Sequence, residues 1–354
     1  MAKTYYEEFN IANAQKLEAL LTELPEFTEE FFVGIAMRTS VLTRINYATD
    51  LRIFFDYLIR RVRKFKDVSA VSDFTLSHLN QVQKRDIEAF LVALEAYDFN
   101  GKILKNTEKG KARKLSSVRS MFKYFYNNEE LDENVASKVS MPKLHDKEII
   151  RLDDEEVVRL LDNTEREEKF DTKHQNTYNL NTRDRDIALI TLLVGTGIRV
   201  SECVGLNIDD IDLEKNAFVV TRKGGNRSVL YFSDEVNDAL SIYLPTRAAR
   251  LKKAGIDDEP ALFLSLQNRR ITVRAVENVV KKMTRTVNPL KSVSPHKLRS
   301  TYGTALYRQT KDIYVVAEVL GHRDVNTTKK HYAAISEDIK RSAAKQVVLR
   351  EEKD

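Results

Sequence analysis

A mainly α chain with one small antiparallel β-sheet, divided between two domains, is the fold that the sequence predicts. Three observations lead there. Glycine (11) and proline (6) are scarce in 354 residues, so few positions interrupt a helix. Apolar residues recur at three- and four-residue spacing through most of the chain. Only the short stretches 206–208, 217–221 and 228–232 have β-type composition, and the last two are joined by Arg222-Lys223-Gly224-Gly225-Asn226-Arg227, a Gly-rich hairpin turn. The length suits two domains that each bury a core.

Residues 12–24 have helical spacing and stop at Pro25, which sets 1–39 apart as an amino-terminal helical extension. An all-helical domain then spans 40–140. Its first helix, 40–62, carries Leu51, Phe54, Phe55, Tyr57 and Leu58 on one broad apolar stripe. Helices are expected over 75–79 and 84–99, the latter stopping near Asn100-Gly101, followed by a basic loop over 102–113. The helix 115–127 turns Val118, Met121, Phe122 and Phe125 inward. Residues 141–150, with Pro142 among polar neighbours, read as an extended linker.

The second domain spans 151–354. Asp153 or Asp154 can cap its first helix, and the acidic first turn suits the helix dipole. A polar insertion, 165–181, reads as a surface loop before the apolar helix 186–194. After the β-type runs, helices are expected over 235–244 and 272–287, then from Ser294 onward, with a last one over 336–348.

Composition excludes several classes. Hydrophobic content of 42% with 31% charged residues is that of a soluble protein. No apolar run approaches the ~18 residues of a membrane span, and the first residues lack the apolar stretch of a signal peptide, so a cytoplasmic location without membrane partners is expected. Cys203 is the sole cysteine, which leaves no internal disulfide or Cys-rich zinc site; it reads as a small buried residue. His78, His145 and His174 lack metal-ligand spacing, and no cofactor is expected. Net charge +5 is mildly basic, and the basic clusters 60–66, 109–114 and Arg269-Arg270 lie near helix ends and loops, where they suit a nucleic-acid backbone.

The chemistry concentrates in 294–332. His296 and Arg299 stand three apart at a helix start and leave the same face, within reach of one anion. Leu320-Gly321-His322 closes the following helix with a glycine stop, and Tyr332 comes ten residues after His322. Arg199, just beyond the turn Gly195-Thr196-Gly197, is a second phosphate-sized cation, and Lys223 sits at the tip of the Gly-rich hairpin. A hydroxyl nucleophile attacking a phosphodiester needs cations on the non-bridging oxygens, a proton acceptor and a donor for the leaving alkoxide. These residues supply them. Tyr302, Tyr307 and Tyr314 are rival phenols, of which Tyr302 and Tyr314 have neighbours that suggest packing.

In order along the chain, TGIRVSE around Arg199, RKGGNRS with Lys223, HKLR with His296 and Arg299, LGH ending at His322, and Tyr332 resemble the tyrosine recombinases, or phage-type integrases. Two places depart from the common pattern of that family: Lys297 follows the first histidine and Ser300 the second arginine. The resemblance implies a two-domain DNA clamp, with an all-helical core-binding domain on one side of duplex DNA and the mixed α/β catalytic domain on the other. It implies Tyr332 as nucleophile, forming a 3′-phosphotyrosine, with Arg199 and Arg299 on the phosphate oxygens and His296 accepting or relaying the phenolic proton. Lys223 would protonate the 5′ oxygen and His322 hydrogen-bond a non-bridging oxygen, with Glu202 orienting the clamp. Neither ATP nor metal is needed, because the bond energy is kept. Partners implied are paired half-sites in duplex DNA and a homotetramer whose carboxyl-terminal helix docks on a neighbouring protomer, with accessory DNA-bending proteins left open. Site-specific integration and excision of a mobile element is the function expected. Xer-type resolution of chromosome dimers, type IB topoisomerase-like relaxation and a non-catalytic DNA-binding accessory role stand as alternatives.

Overall fold

Ser40 sits just ahead of the longest apolar stripe in the amino-terminal half, and its hydroxyl accepts from Thr43 N at 3.2 Å, starting the helix where a cap was needed. A computed structural model describes residues 5–99, 101–144, 151–165, 173–222, 225–291, 293–322 and 325, with 173–181 as backbone alone. The chain divides into two compact units, Met1–Lys147 and Glu148–Asp354.

The first unit contains α1 (Tyr5–Leu21), α2 (Thr28–Gly34), α3 (Val41–Arg61), α4 (Leu76–Asn80) and α5 (Lys84–Ala93). After them come the strands β1 (Tyr97–Phe99) and β2 (Lys102–Leu104), then α6 (Glu108–Asn127). Leu51, Phe54, Phe55 and Leu58 of α3 meet Met121, Phe122 and Phe125 of α6 in one core, and Phe54 packs edge-on against Phe90 at 5.1 Å. Each such side chain contributes about 2 kcal/mol by leaving water. Tyr57 is only half-buried. Leu17, Leu24 and Phe31, from the segment read as an extension, belong to this same core.

Two local expectations fail here. Residues 84–99 are not one helix: α5 stops at Ala93, and Tyr97–Phe99 pairs antiparallel with Lys102–Leu104. Asn-Gly serves a helix stop and a two-residue hairpin turn equally, and the flanking residues chose the hairpin. The basic segment 102–113 is not a loop either. It supplies β2 and the first turns of α6, because Lys and Arg are good helix formers and Ala112, Leu115 and Val118 are buried along one face. The seven-residue α2, between Pro25 and Ser40, was not anticipated.

The second unit contains α7 (Asp154–Glu165), α8 (Lys173–Thr196), α9 (Val200–Gly205), the strands β3 (Ile211–Asp212), β4 (Ala217–Thr221) and β5 (Arg227–Tyr231), then α10 (Asp234–Ala254), α11 (Val273–Val287), α12 (Pro295–Thr310) and α13 (Ile313–Leu320). Asp153 caps α7, its Oδ1 accepting from Glu156 N at 2.8 Å while Glu156 Oε2 accepts from Asp153 N at 3.0 Å. The apolar part of α8, Leu189 to Leu193, is fully buried and packs between α7, α10 and α12. The strands form one antiparallel sheet in the order β3-β4-β5.

Differences from expectation have local causes. Residues 173–181 continue α8 rather than forming a loop, while 166–172 lie outside the described residues. Residues 206–208 are not a strand: Asn207 makes a single bridge to Ala261, a 3-10 turn begins at Ile208, and the third strand is β3. Helix α10 runs past Pro245 to Ala254. Burial of Tyr243, Arg247 and Leu251 outweighs the one backbone hydrogen bond that proline forfeits. The helix expected over 336–348 lies outside the described residues. Among the described residues the fold is mainly α with two small antiparallel sheets, β1-β2 and β3-β4-β5, and no described helix is long and apolar enough to cross a membrane.

Candidate active site

Helix α8 ends in a glycine that nothing else could replace without strain. Gly197 has φ +60°, and a Cβ there would stand 2.5 Å from Tyr302 Cδ1 and 3.1 Å from Leu320 Cδ2. The turn delivers Arg199 to the residue just before α9, where its backbone N–H donates to Glu202 Oε2 at 3.0 Å and its Nη1 to Glu202 Oε1 at 2.7 Å. Glu202, 3% exposed, thereby fixes both the backbone and the head of Arg199.

Helix α13 brings the second part. Asp312 caps its start, with Oδ1 accepting from Tyr314 N at 2.7 Å. Gly321 ends it in the left-handed region at φ +59°, and His322 N donates back to Ala317 O at 2.9 Å. This closing turn fixes where His322 leaves the helix.

Three guanidinium groups gather on the carbonyls that α13 leaves unpaired. Arg199 Nη2 donates to Gly321 O at 3.0 Å. Arg299, nearly buried on α12, donates from Nη1 to Gly197 O at 2.6 Å and from Nη2 to Leu320 O. Arg222, directly after β4, donates from Nη2 to Val319 O at 2.9 Å and from Nη1 to Leu320 O at 3.4 Å. The negative end of a helix dipole suits these cations, while Glu202 is the carboxylate that both Arg199 and Arg222 meet. Burial holds the Arg222 guanidinium below its ordinary pKa, against the pull of Glu202, and the nearby Arg199 charge adds to that lowering. A groove of about 720 Å³ opens beside them, lined by Arg199, Arg222, Tyr231, Tyr302, Gly321 and His322. Arg199, whose side chain is one-third exposed, faces this groove, and a guanidinium there suits an anion such as a phosphodiester.

Of the expected site residues, Arg199, Glu202, Arg299 and the His322 turn converge here. His296 lies on α12 one turn before Arg299 and is exposed. Lys223 and Tyr332 lie outside the described residues. Among the rival phenols, Tyr302 packs against the Gly197 turn and burial raises its pKa, whereas Tyr314 is 70% exposed and not packed as expected. Val316, Ala317 and Leu320 hold the inner face of α13 instead. Cys203 is fully buried, which pushes its thiol well above the ordinary range. Sequence reasoning missed Arg222, whose one signal was its place beside Lys223 in the hairpin.

The phage integrase family matches residues 150–338. The chain belongs to that family. This recombinase is 33% identical over 323 residues to the tyrosine recombinase XerC of Caldanaerobacter subterraneus subsp. tengcongensis, covering 88% of this chain and 84% of the relative. It is 28% identical over 360 residues to the tyrosine recombinase XerS of Streptococcus uberis, covering 94% and 98%. In fold it is similar to the site-specific recombinase XerH bound to its palindromic difH substrate, with TM-score 0.64 and 19% identity over 86% of this chain and 80% of that one. The chain is an enzyme of the tyrosine-type site-specific recombinase class.

Proposed function

We propose that the recombinase cuts and rejoins duplex DNA through a 3′-phosphotyrosine on Tyr332. The convergence of Arg199 and Arg299 on the carboxyl end of α13, beside a groove that Arg199 and His322 line, carries this reading. The phenolic oxygen of Tyr332 attacks phosphorus in line as the bond to the 5′ oxygen breaks. Arg199 and Arg299 hold the non-bridging oxygens, whose charge grows in the transition state, and His322 adds a hydrogen bond. His296 takes the phenolic proton, since a phenol of pKa about 10 must lose it near neutrality. Lys223 gives a proton to the departing 5′ oxygen, because guanidinium, with pKa above about 12, is too weak an acid. A 5′-hydroxyl from a partner strand then reverses the step, and the tyrosine is regenerated.

Paired half-sites on two duplexes make a homotetramer of the recombinase the working assembly, acting in the cytoplasm. In the Xer-type reading, this enzyme resolves joined copies of one chromosomal site. Relatives named XerC and XerS that align over most of the chain support that reading over integration of a mobile element. Mapping the sites bound in the source genome tests it. Binding at a single chromosomal locus is expected, and binding at the two ends of a mobile element would favour integration instead.

A further inference from the structure

Arg222 has no part in the phosphate chemistry just set out, yet its side chain is only 10% exposed. Its guanidinium rests on Glu202 and on the last turn of α13. Its Nη1 lies 3.6 Å from Oε2 of Glu202, whose other oxygen holds Arg199. Its donations to Val319 O and Leu320 O grip the turn of α13 that ends in Gly321 and His322, and Leu320 O also accepts from Arg299. The grip is built from both sides. A Cβ at position 321 would come within 2.8 Å of the Arg222 guanidinium carbon, so the glycine that frees the turn also admits the guanidinium. Arg222 N donates to Asn226 O at 2.7 Å, which closes the base of the hairpin.

We infer that Arg222 is a positioning residue for DNA cleavage: it fixes the Glu202 carboxylate and the α13 carbonyls so that Arg199 and His322 address the same phosphate. Its Nη1 and Nη2 lie on Glu202 and on the α13 carbonyls, the groups that also hold Arg199, and through them it sets where Arg199 stands. A bidentate guanidinium suits this bridging between a carboxylate and two carbonyls, and an ammonium reproduces it only in part.

The inference rests on the reading of Arg199 and Tyr332 as cleavage residues, and a double-mutant cycle separates the two. Full-length unmodified protein, Arg222→Ala, Arg222→Lys, Arg199→Ala and the double variant are compared on a nicked duplex whose cleaved fragment diffuses away. DNA affinity and the single-turnover rate of covalent adduct formation are both measured. Arg222→Ala is expected to bind within about twofold of the unmodified protein while its cleavage rate falls about 10- to 100-fold, and Arg222→Lys to lie between. In the Arg199→Ala background the Arg222→Ala loss should shrink below about threefold. Full-rate cleavage by Arg222→Ala, or losses that multiply in the double variant, overturns the inference. Where Arg222→Ala no longer binds DNA, Arg222→Lys runs the same cycle with the same criteria. Absence of any adduct with the unmodified protein overturns the cleavage reading itself, and this inference with it.

Discussion

Arg199 and Arg222 meet opposite oxygens of the single carboxylate of Glu202, the first at 2.7 Å and the second at 3.6 Å. One buried anion therefore sets the spacing of two cations that begin 23 residues apart, and it does so within reach of the α13 carbonyls.

Glu202→Ala removes that spacer and leaves two guanidiniums close together without a counter-charge. Breaking a nearly buried pair from one side costs several kcal/mol, and partial exposure of Arg199 reduces this to about 2 kcal/mol. Urea unfolding should show that loss, and adduct formation on nicked DNA should fall about 100-fold.

Gly321→Ala tests the turn. Its backbone lies in the left-handed region, which costs a residue with a Cβ about 1–2 kcal/mol, and the added methyl presses on Arg222. Cleavage is expected to fall more than DNA binding. Combining it with Arg222→Ala should remove the steric part, so that the double variant unfolds no more easily than Gly321→Ala alone.

Acid stability should depend on Glu156. Burial would raise its pKa, but Lys291 Nζ at 2.5 Å, Asn288 Nδ2 at 2.9 Å and the Asp153 N–H together lower it to about 2. A carboxyl group depressed on folding stabilises above its unfolded pKa of about 4.5 and loses that contribution as pH falls toward 2, here about 3 kcal/mol. Urea midpoints between pH 6 and pH 2 should fall steeply for the native chain and less for Glu156→Gln.

Binding to duplex DNA should weaken sharply with salt, since cations that neutralise phosphates release counterions. A fall of about 100-fold or more between 50 and 200 mM salt is expected from filter or fluorescence binding. An unchanged affinity would mean that the basic surfaces do not face the backbone.

Sequence alone made the long amphipathic helices legible. Val41–Arg61 and Val273–Val287 each follow a hydroxyl cap, Ser40 and Thr272, and a repeating apolar face. The hairpin Tyr97–Leu104 was not legible, because Asn-Gly marks a helix stop as readily as a hairpin turn. Gathering of Arg199, Arg299 and the His322 turn followed from their motifs. The role of Arg222 could not, since its partners are a carboxylate 20 residues earlier and carbonyls 97 and 98 residues later. Backbone acceptors leave no trace in residue identity.

The most direct measurement is to trap the protein on nicked duplex DNA, digest the adduct and identify by mass spectrometry the residue joined to the 3′ phosphate. The account predicts a DNA-linked peptide containing Tyr332, absent in Tyr332→Phe. Linkage through Tyr302, Tyr307 or Tyr314, or an adduct that survives Tyr332→Phe, would contradict it.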